Sequence, residues 1–260
     1  MKIDGREIIV CCPSYLRSSH VETLDYLPST RVYVAEKELT AYRSSNRGAD
    51  IEAMPDETQG NIARVRNWVL DKHRKDVVCI IDDDLRNIGY FEKGQRVPLR
   101  SEKEVMAFLW KHTRLALDLG VTLWGINVNF DSQVYREYTP FSMVSYIGSP
   151  FMVHLSPSVR FDERLPLKED YDFCLQTLNL HRKILRVNKF YYVVRQAEQA
   201  GGCSESRSIE FEKEQFRLLQ KKWGSDIVRS DSLSNSRNHR TTKIRKVDIN
   251  PVIQVPIAGI

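Results

Sequence analysis

The chain has 260 residues, of which 42% are hydrophobic and 28% charged, and its formal net charge is +5. This length and composition are typical of a globular protein with a full hydrophobic core, built as one large α/β domain or one domain with an appendage. No run is apolar enough to span a bilayer, and the N-terminal residues MKIDGREIIVCCP lack the pattern of a signal peptide, so we expect neither a membrane partner nor export.

The predicted elements alternate between strands and helices along the chain. Strands are predicted at 7–12, 31–35, 77–81, 123–128, 142–155 and 184–195. Helices are predicted at 19–26, 59–74, 101–119, 169–181 and 209–223. Ser101 and Glu104 form a capping box at the start of the third helix, and Gly120 fits its end. This order predicts one α/β domain over 1–224 with a mostly parallel central sheet flanked by helices, followed by a basic segment at 225–260.

The cysteines carry no sign of a structural role. There are five, an odd number, and none forms a Cys-x-x-Cys pair, which argues against a disulfide framework or a zinc site. We therefore expect reduced thiols and a cytoplasmic location.

The run VVCIIDDD places three aspartates directly after a short apolar strand. Such a strand is typically buried in a parallel sheet, and ligands of open α/β sheets bind at the carboxyl ends of the strands. Because side chains alternate along a strand, we expect Asp82 and Asp84 to point one way and Asp83 the other. Carboxylates suit Mg²⁺ or Mn²⁺, which commonly join one or two of them to phosphates. The alternative is a solvated acidic turn.

The helix at 59–74 has a charge beside its core-facing stripe. Ile62, Val65 and Val69 form the stripe, and Arg66 falls next to it. A guanidinium in this position needs an acceptor, either the downstream aspartates or the phosphates of a ligand. The alternative is an arginine whose head group reaches water.

A second acidic group, Lys168-Glu169-Asp170-Tyr171-Asp172, opens the helix at 169–181. Acids at this position complement the helix dipole, so capping is one explanation. A carboxylate at a pocket rim can also act as a general base for an acceptor hydroxyl. One acidic group for metal and phosphate and another to activate a nucleophile are what transfer from a nucleotide-activated donor requires.

The net positive charge is concentrated near the C-terminus. Between 229 and 246 there are six Lys or Arg residues and one Asp, a net of +5, so the remaining residues sum to about zero. This composition favours an arm that contacts phosphate, and the alternative is a solvated, partly disordered tail. The final residues, VDINPVIQVPIAGI, are apolar enough to dock on the domain.

Four segments in this order resemble the inverting GT-A glycosyltransferases close to family 2. They are IIVCCPSYLR, NIARVRNW, CIIDDDL and KEDYDFCLQ, and the resemblance covers roughly residues 7 to 195. Within that group the chain looks most like the TET-associated glycosyltransferases of phages, which modify oxidised pyrimidines in DNA. The segment VYVAEKELTAYR and the basic C-terminal segment are the further cues.

The resemblance implies a single GT-A (Rossmann-like) domain, a UDP-sugar as donor, Mn²⁺ or Mg²⁺ as cofactor and inversion at the anomeric carbon. It implies Asp170 as the base that takes the acceptor proton, with Glu169 orienting it, and Asp84 as the metal ligand, with His239 as a further candidate. The residues implied for the donor are Pro13, Tyr15, Arg17 and Glu36 at the base and ribose, Asp82 near the ribose, Arg66 and Asn67 at the nucleotide or its diphosphate, and Arg64 and Asp83 elsewhere around the nucleotide-sugar.

The acceptor implied is a 5-hydroxymethylpyrimidine in DNA, reached in the host cytoplasm if a phage encodes the chain. We expect its phosphates to contact Arg237, Arg240, Lys243 and Arg245. A family 2 enzyme acting on a glycan, lipid carrier or small molecule would share every motif except the basic arm. A metal-dependent nucleotidyltransferase or nuclease would use Asp170 as a further metal ligand. A nucleic-acid-binding module with a decayed enzyme core is the fourth alternative.

Overall fold

The computed structural model describes residues 1–133, 135–156, 158–194, 208–230 and 249–257. Its strands are β1 (Lys2–Ile3), β2 (Arg6–Pro13), β3 (Arg31–Ala35), β4 (Ile51–Met54), β5 (Val77–Ile81), β6 (Leu85–Glu92), β7 (Gln95–Pro98), β8 (Leu123–Asn127), β9 (Phe141–Ser142), β10 (Phe151–His154), β11 (Leu185–Val194), β12 (Val228–Ser230) and β13 (Pro251–Ile253). Its α-helices are α1 (Thr23–Tyr26), α2 (Leu39–Ser45), α3 (Ile62–Lys72), α4 (Glu102–Asp118), α5 (Glu169–His181) and α6 (Ile209–Trp223).

One large sheet forms the centre of the domain, with the order β4-β3-β2-β5-β10-β8-β11-β6-β7. The strands β4, β3, β2 and β5 are parallel neighbours, and so are β8 and β11. Strand β10 is antiparallel to both β5 and β8, so β8 runs in the same direction as β5. Strands β6 and β10 are therefore the two reversed members of this order. The predicted α/β domain with a mostly parallel sheet is confirmed.

The chain changes direction across the sheet at β2. It passes from β2 outward through β3 to β4 and then returns to β5 on the other side of β2. Such a switch opens a crevice at the carboxyl ends of the strands, where ligands bind in open α/β folds. Pro13 ends β2, and Asp82 follows β5, so the two segments expected to bind the donor meet at this crevice.

Helices cover both faces of the sheet. Along β5, Cys79 and Ile81 pack into the core on the α4 face, whereas Val78 and Ile80 pack into the core on the face of α3 and α5. All five residues of β5 are buried, which explains its unbroken apolar run. Helices α3 and α5 therefore lie on one face and bring their N-terminal residues toward the crevice.

Several predicted elements differ from the structure. The strand predicted at 142–155 is divided into β9 and β10, because the chain leaves the sheet over 143–150. A Cβ atom on Gly148 would lie 2.6 Å from Val128 Cγ1 and 2.8 Å from Tyr192 Oη, so this loop passes close to neighbouring side chains. The helix predicted at 19–26 forms only at α1. The strands β4, β6 and β7 and the helix α2 were not predicted.

The C-terminal part of the chain is described in two pieces. Strands β12 and β13 form a separate antiparallel pair, and Val255 and Ile257 pack against the core beside α3 and α5. The boundary between a domain at 1–224 and a segment at 225–260 remains a prediction. Among the described residues, no helix is long and apolar enough to cross a membrane. The described cysteines, Cys11, Cys12, Cys79 and Cys174, are buried free thiols.

Candidate active site

The three aspartates after β5 are held in place by α1. The hydroxyl of Thr23 donates to the Asp82 carbonyl at 2.6 Å and accepts from the Leu85 amide at 3.0 Å, and the Thr23 amide donates to the Asp83 carbonyl at 3.2 Å. These three hydrogen bonds hold the backbone of the three aspartates and of Leu85, which follows them. This fixes the directions in which the three carboxylates leave the end of the strand.

Asp83 faces the loop that follows β2. Its carboxylate accepts from Ser14 Oγ at 2.5 Å and pairs with the Arg17 guanidinium. The Tyr42 hydroxyl contacts Ser14 Oγ at 2.8 Å and accepts from the Arg17 amide at 3.0 Å. This network fixes the loop at 13–17 over the crevice. Neither Ser14 nor Tyr42 was expected from the sequence.

Asp84 is buried with its charge poorly compensated. Burial, followed by repulsion from Asp82 and Asp83, raises the pKa of Asp84 to about 7, and Arg17 only partly opposes this. A bound cation would favour the ionised form of such a group. The electrostatics at Asp84 therefore fit a site for a divalent cation.

Arg66 joins this acidic cluster to the second one. Its guanidinium donates to Glu169 Oε1 at 2.5 Å and to Asp82 Oδ1 at 3.2 Å, and the residue is 2% exposed. It also lies 5.8 Å from the centre of the Phe161 ring. Arg66 thus donates to Asp82, one of the aspartates expected as its acceptors, and to Glu169 of α5.

The two acids at the start of α5 have different surroundings. Burial, followed by repulsion from Asp170, raises the pKa of Glu169 to about 7 although Arg66 opposes the shift. Asp170 Oδ2 accepts from Tyr146 Oη at 2.5 Å and from the Ser149 amide at 3.1 Å, and Oδ1 accepts from the Tyr171 amide at 2.8 Å. Asp170 therefore faces the loop at 143–150, whereas Glu169 faces Arg66.

Asp172 and Lys168 attach α5 to α6. The Asp172 carboxylate accepts from Lys222 Nζ and from Trp223 Nε1, both at 2.8 Å. Lys168 forms a buried ion pair with Glu212 at 2.6 Å. These contacts are structural, and they orient the helix that carries Glu169 and Asp170.

Two expected donor-binding residues lie elsewhere. Arg64 pairs at the surface with Glu163 at 2.9 Å and donates to the Glu57 carbonyl at 2.8 Å. At 100° per residue it lies 200° around α3 from Arg66. The Asn67 amide donates to the Phe161 carbonyl and accepts from the Phe161 amide, both at 2.9 Å. Both side chains hold the 161–163 segment against α3, so we withdraw the expectation that they bind the nucleotide.

The loop after β3 places Glu38, rather than Glu36, toward the 13–17 loop. Glu36 is exposed. Glu38 Oε1 accepts from the Leu16 amide at 3.0 Å, and Oε2 is buried without a hydrogen-bond partner among the described residues. Pro13 and Tyr15 are partly exposed beside this loop. Glu38 is therefore a further acid beside the 13–17 loop, and the role expected for Glu36 stays a prediction.

The charges of both acidic clusters act on Tyr192 of β11. It is 3% exposed, and burial raises its pKa well above the ordinary value, followed by the charges of Asp82, Asp170 and Asp84. Its phenol therefore stays neutral. No sequence pattern marked this residue or Tyr146.

The remaining expected residues lie outside the described part of the chain. They are His239 as a metal ligand and Arg237, Arg240, Lys243 and Arg245 as phosphate contacts.

The described residues fit a metal that is shared with a ligand. Within the described ranges, no group of three or more His, Cys, Asp or Glu side chains could hold a metal alone. Asp84 and Asp82 offer carboxylate oxygens at the crevice. Mg²⁺ typically binds to one or two carboxylates and completes its shell with phosphate oxygens and water. The donor set therefore suits a cation brought together with a diphosphate.

Residues 9–202 match the family model described as TET-Associated Glycosyltransferase. The chain belongs to this family. The predicted family is thereby confirmed. A search of curated proteins found no significant match to this TET-associated glycosyltransferase.

Solved structures share the fold of this family member. S. aureus TarS 1-349 is 13% identical over 83% of the chain, with a TM-score of 0.48, and the chain spans 65% of that TarS fragment. Glucosyl-3-phosphoglycerate synthase from Mycobacterium tuberculosis, in complex with Mn²⁺, UDP and glucosyl-3-phosphoglycerate, is 14% identical over 87% of this chain and 84% of its own, with a TM-score of 0.51. The same synthase with Mg²⁺ and UDP gives 14% identity over 89% and 85%, and a TM-score of 0.51. The similarity to the synthase supports the GT-A fold.

Arg66→Met tests the link between the two acidic clusters. Removing one member of a buried ion pair typically destabilises a protein by about 3–5 kcal/mol. The folded-state pKa of Glu169 is raised from 4.5 to about 7. The folded protein therefore holds a proton that the unfolded chain loses, and stability falls as the pH rises through this range. Without Arg66 the fall extends to higher pH, so we expect a larger loss of unfolding free energy at about pH 8.5 than at about pH 6, measured by denaturant titration.

Arg64→Met is the matched control for this variant. It removes the same group from the same helix, but from an exposed pair with Glu163, and such pairs contribute about 0–1 kcal/mol. We expect a small change that is the same at both pH values. Equal pH dependence in the two variants would show that Arg66 does not compensate Glu169.

Proposed function

We propose that the protein is an inverting, metal-dependent glycosyltransferase that moves a sugar from a nucleotide-sugar to a hydroxyl acceptor. One observation carries the proposal: Arg66 joins the aspartates after β5 to the acids that open α5. Donor binding and acceptor activation need such groups on opposite sides of one crevice. Membership of a glycosyltransferase family supports the same reaction.

The donor side of the site is the crevice between β2 and β5. The 13–17 loop, fixed by Asp83, would hold the base and ribose together with Glu36 and Glu38, the second of which accepts from the Leu16 amide. Asp84, with Asp82 beside it, would hold Mn²⁺ or Mg²⁺ against the diphosphate. The synthase of the same fold was crystallised with UDP and either metal, which favours a UDP-sugar here. When bound, the cation supplies charge neutralisation for the nucleoside diphosphate that leaves.

The acceptor side is the start of α5. Asp170 takes the proton from the acceptor hydroxyl while the oxygen forms a bond to the anomeric carbon of the sugar. The bond between that carbon and the diphosphate oxygen breaks, and its electron pair leaves with the nucleoside diphosphate. Attack from the face opposite the diphosphate inverts the anomeric carbon. Glu169, held by Arg66, keeps the start of α5 in place.

The described residues do not favour the alternative of a nucleotidyltransferase or nuclease. That chemistry would need Asp170 beside Asp82 and Asp84 as a further metal ligand. Within the part of the chain that the structure describes, no cluster of three such ligands is present. The Asp170 carboxylate instead contacts Tyr146 and the Ser149 amide.

Asp84→Ala tests the metal assignment. Without this carboxylate the cation loses a ligand and the diphosphate charge stays uncompensated, so we expect calorimetry to show loss of the Mn²⁺-dependent part of UDP affinity. Asp25→Ala, at an exposed aspartate, serves as the control and should bind as the wild type does. Unchanged UDP affinity of Asp84→Ala in the presence of Mn²⁺ would contradict the assignment.

Asp170→Asn tests the base. The amide keeps the shape of the carboxylate but cannot take up the proton, and general-base catalysis typically contributes about 10²–10⁴-fold to the rate. We expect kcat to fall within this range while UDP affinity stays near that of the wild type. NMR of the wild-type product should show an anomeric configuration opposite to that of the donor. Transfer by Asp170→Asn at the wild-type rate would place the base elsewhere.

The acceptor that we propose is a 5-hydroxymethylpyrimidine in DNA, with the basic residues at 229–246 contacting the phosphates. The charge distribution supports this proposal, because the whole net charge of the chain lies in that segment. The target hydroxyl must reach Asp170, so the base would be flipped from the stack or taken from a single strand.

Neutralising Arg237, Arg240, Lys243 and Arg245 together should weaken DNA binding for all sequences. Each phosphate contact contributes a slope of about −0.9 to the dependence of log affinity on log salt, so the slope should flatten. UDP binding should change less. A variant that loses UDP affinity first and keeps its DNA affinity would favour a glycan or small-molecule acceptor instead.

A further inference from the structure

The loop at 143–150 brings one side chain directly to the proposed base. Tyr146 Oη donates to Asp170 Oδ2 at 2.5 Å. The Tyr146 ring also stacks on the Tyr171 ring, with 3.9 Å between the ring centres and an angle of 4° between the planes. The stacked ring holds the hydroxyl beside the carboxylate.

The rest of the loop is built to keep Tyr146 there. The Tyr146 carbonyl accepts from Arg186 Nη1 at 3.1 Å, and Cys174 Sγ lies 3.5 Å from the Ile147 carbonyl. Two glycines allow the loop at 143–150 to lie close to its neighbours. A Cβ atom on Gly125 would collide with Ile147 Cγ2, and one on Gly148 would lie 2.6 Å from Val128 Cγ1. Separate contacts to the backbone, the ring and the hydroxyl of Tyr146 thus hold this residue in one position.

The hydrogen bonds at Asp170 leave a defined place for an acceptor. A carboxylate offers about four lone-pair positions. Among the described residues, Tyr146 and the Ser149 amide occupy those of Oδ2, and the Tyr171 amide occupies one on Oδ1. The remaining position lies on Oδ1, where an acceptor hydroxyl can donate.

We propose that Tyr146 is a positioning residue of the transfer reaction, whose hydroxyl, together with the Ser149 amide, holds Asp170 so that Oδ1 receives the acceptor proton. This inference rests on the proposed role of Asp170 as the base. Tyr146 itself does not exchange the proton. Burial, followed by the charge of Asp170, raises its pKa well above the ordinary value, so it remains a donor throughout the working pH range.

The role has a consequence for the pH dependence. A donor hydrogen bond stabilises the ionised form of a carboxylate, so its loss makes the base protonate at higher pH. Among the described residues, the other titratable or charged groups near Asp170 include Glu169, Tyr171 and Cys174 on α5 and Arg186 and Tyr192 on β11. Burial raises the pKa values of Cys174 and Tyr192, so both stay neutral, and Glu169 is common to every variant compared. A difference between the variants therefore reports on Tyr146.

The test is Tyr146→Phe, which keeps the ring on Tyr171 and removes only the hydroxyl. The assay is UDP release from UDP-glucose with Mn²⁺, with either 5-hydroxymethylcytosine DNA or water as acceptor. We expect kcat to fall about tenfold, KM for UDP-glucose to change less than about twofold, and the acid limb of the kcat profile to move up by about one pH unit. Replacing Tyr146 with 3-fluorotyrosine, a stronger donor of the same shape, should move the limb the other way.

Tyr26→Phe is the matched control, because Tyr26 is a half-buried phenol that contacts the Ile88 and Leu99 carbonyls on another part of the fold. It should leave the acid limb in place. An acid limb that is unmoved in Tyr146→Phe, whether or not the variant loses stability, would overturn the inference and leave the Tyr146 hydroxyl with a structural role. If Asp170→Asn is fully active, the proposed role of Asp170 as the base fails, and with it the present inference. If Asp170→Asn is inactive while Tyr146→Phe matches the wild type, only the present inference fails.

Discussion

The buried guanidinium of Arg66 lies between Asp82 and Glu169, and the geometry of the site depends on this contact. Asp82 follows β5 and Glu169 begins α5, and the two residues are 87 positions apart in the sequence. Without a positive charge beside it, the buried Glu169 carboxylate would have to be neutral, whereas Asp82 is partly exposed to water. The same contact holds the groups assigned to the donor at a fixed position relative to the base. Arg66 therefore contributes both to the stability of the fold and to the geometry of the candidate site.

A second set of contacts keeps α5 rigid from behind. Lys168 pairs with Glu212, and Asp172 binds both Lys222 and Trp223, so helix α6 is attached on either side of Glu169 and Asp170. The charged side chains at the start of α5 thus make different contacts according to their position. Lys168 and Asp172 attach the helix to α6, Glu169 pairs with Arg66, and Asp170 contacts the loop at 143–150. Side chains held by packed neighbours in this way keep a fixed geometry.

Much of the fold followed from the sequence because its elements have strong local patterns. The apolar run of β5 and the N-cap of α4 are examples. Ser101 Oγ accepts from the Glu104 amide, whereas the Glu104 carboxylate accepts from the Arg100 amide rather than completing a capping box with the Ser101 amide. The hairpin of β6 and β7 was missed although it has a local signal. Its turn residues Lys93 and Gly94 both adopt positive φ angles, as two-residue hairpin turns favour.

The site was predictable where it depends on strand ends and helix starts, and not where it depends on loops. Asp82 and Asp170 follow from such positions. Tyr146 and Glu38 act through loop contacts with distant residues, and no periodic pattern marks them. Arg64 and Asn67 show the opposite error. They belong to the same segment as Arg66, but the rotation of the helix turns Arg64 away, and Asn67 is fully engaged with Phe161.

The most direct test is an anomalous diffraction map from crystals grown with Mn²⁺ and UDP. The account predicts a manganese peak bonded to the Asp84 carboxylate and to diphosphate oxygens, with Arg66 still between Asp82 and Glu169 and with Asp170 facing the open side of the crevice. A peak bonded to Asp170, or UDP bound away from the 13–17 loop, would contradict it.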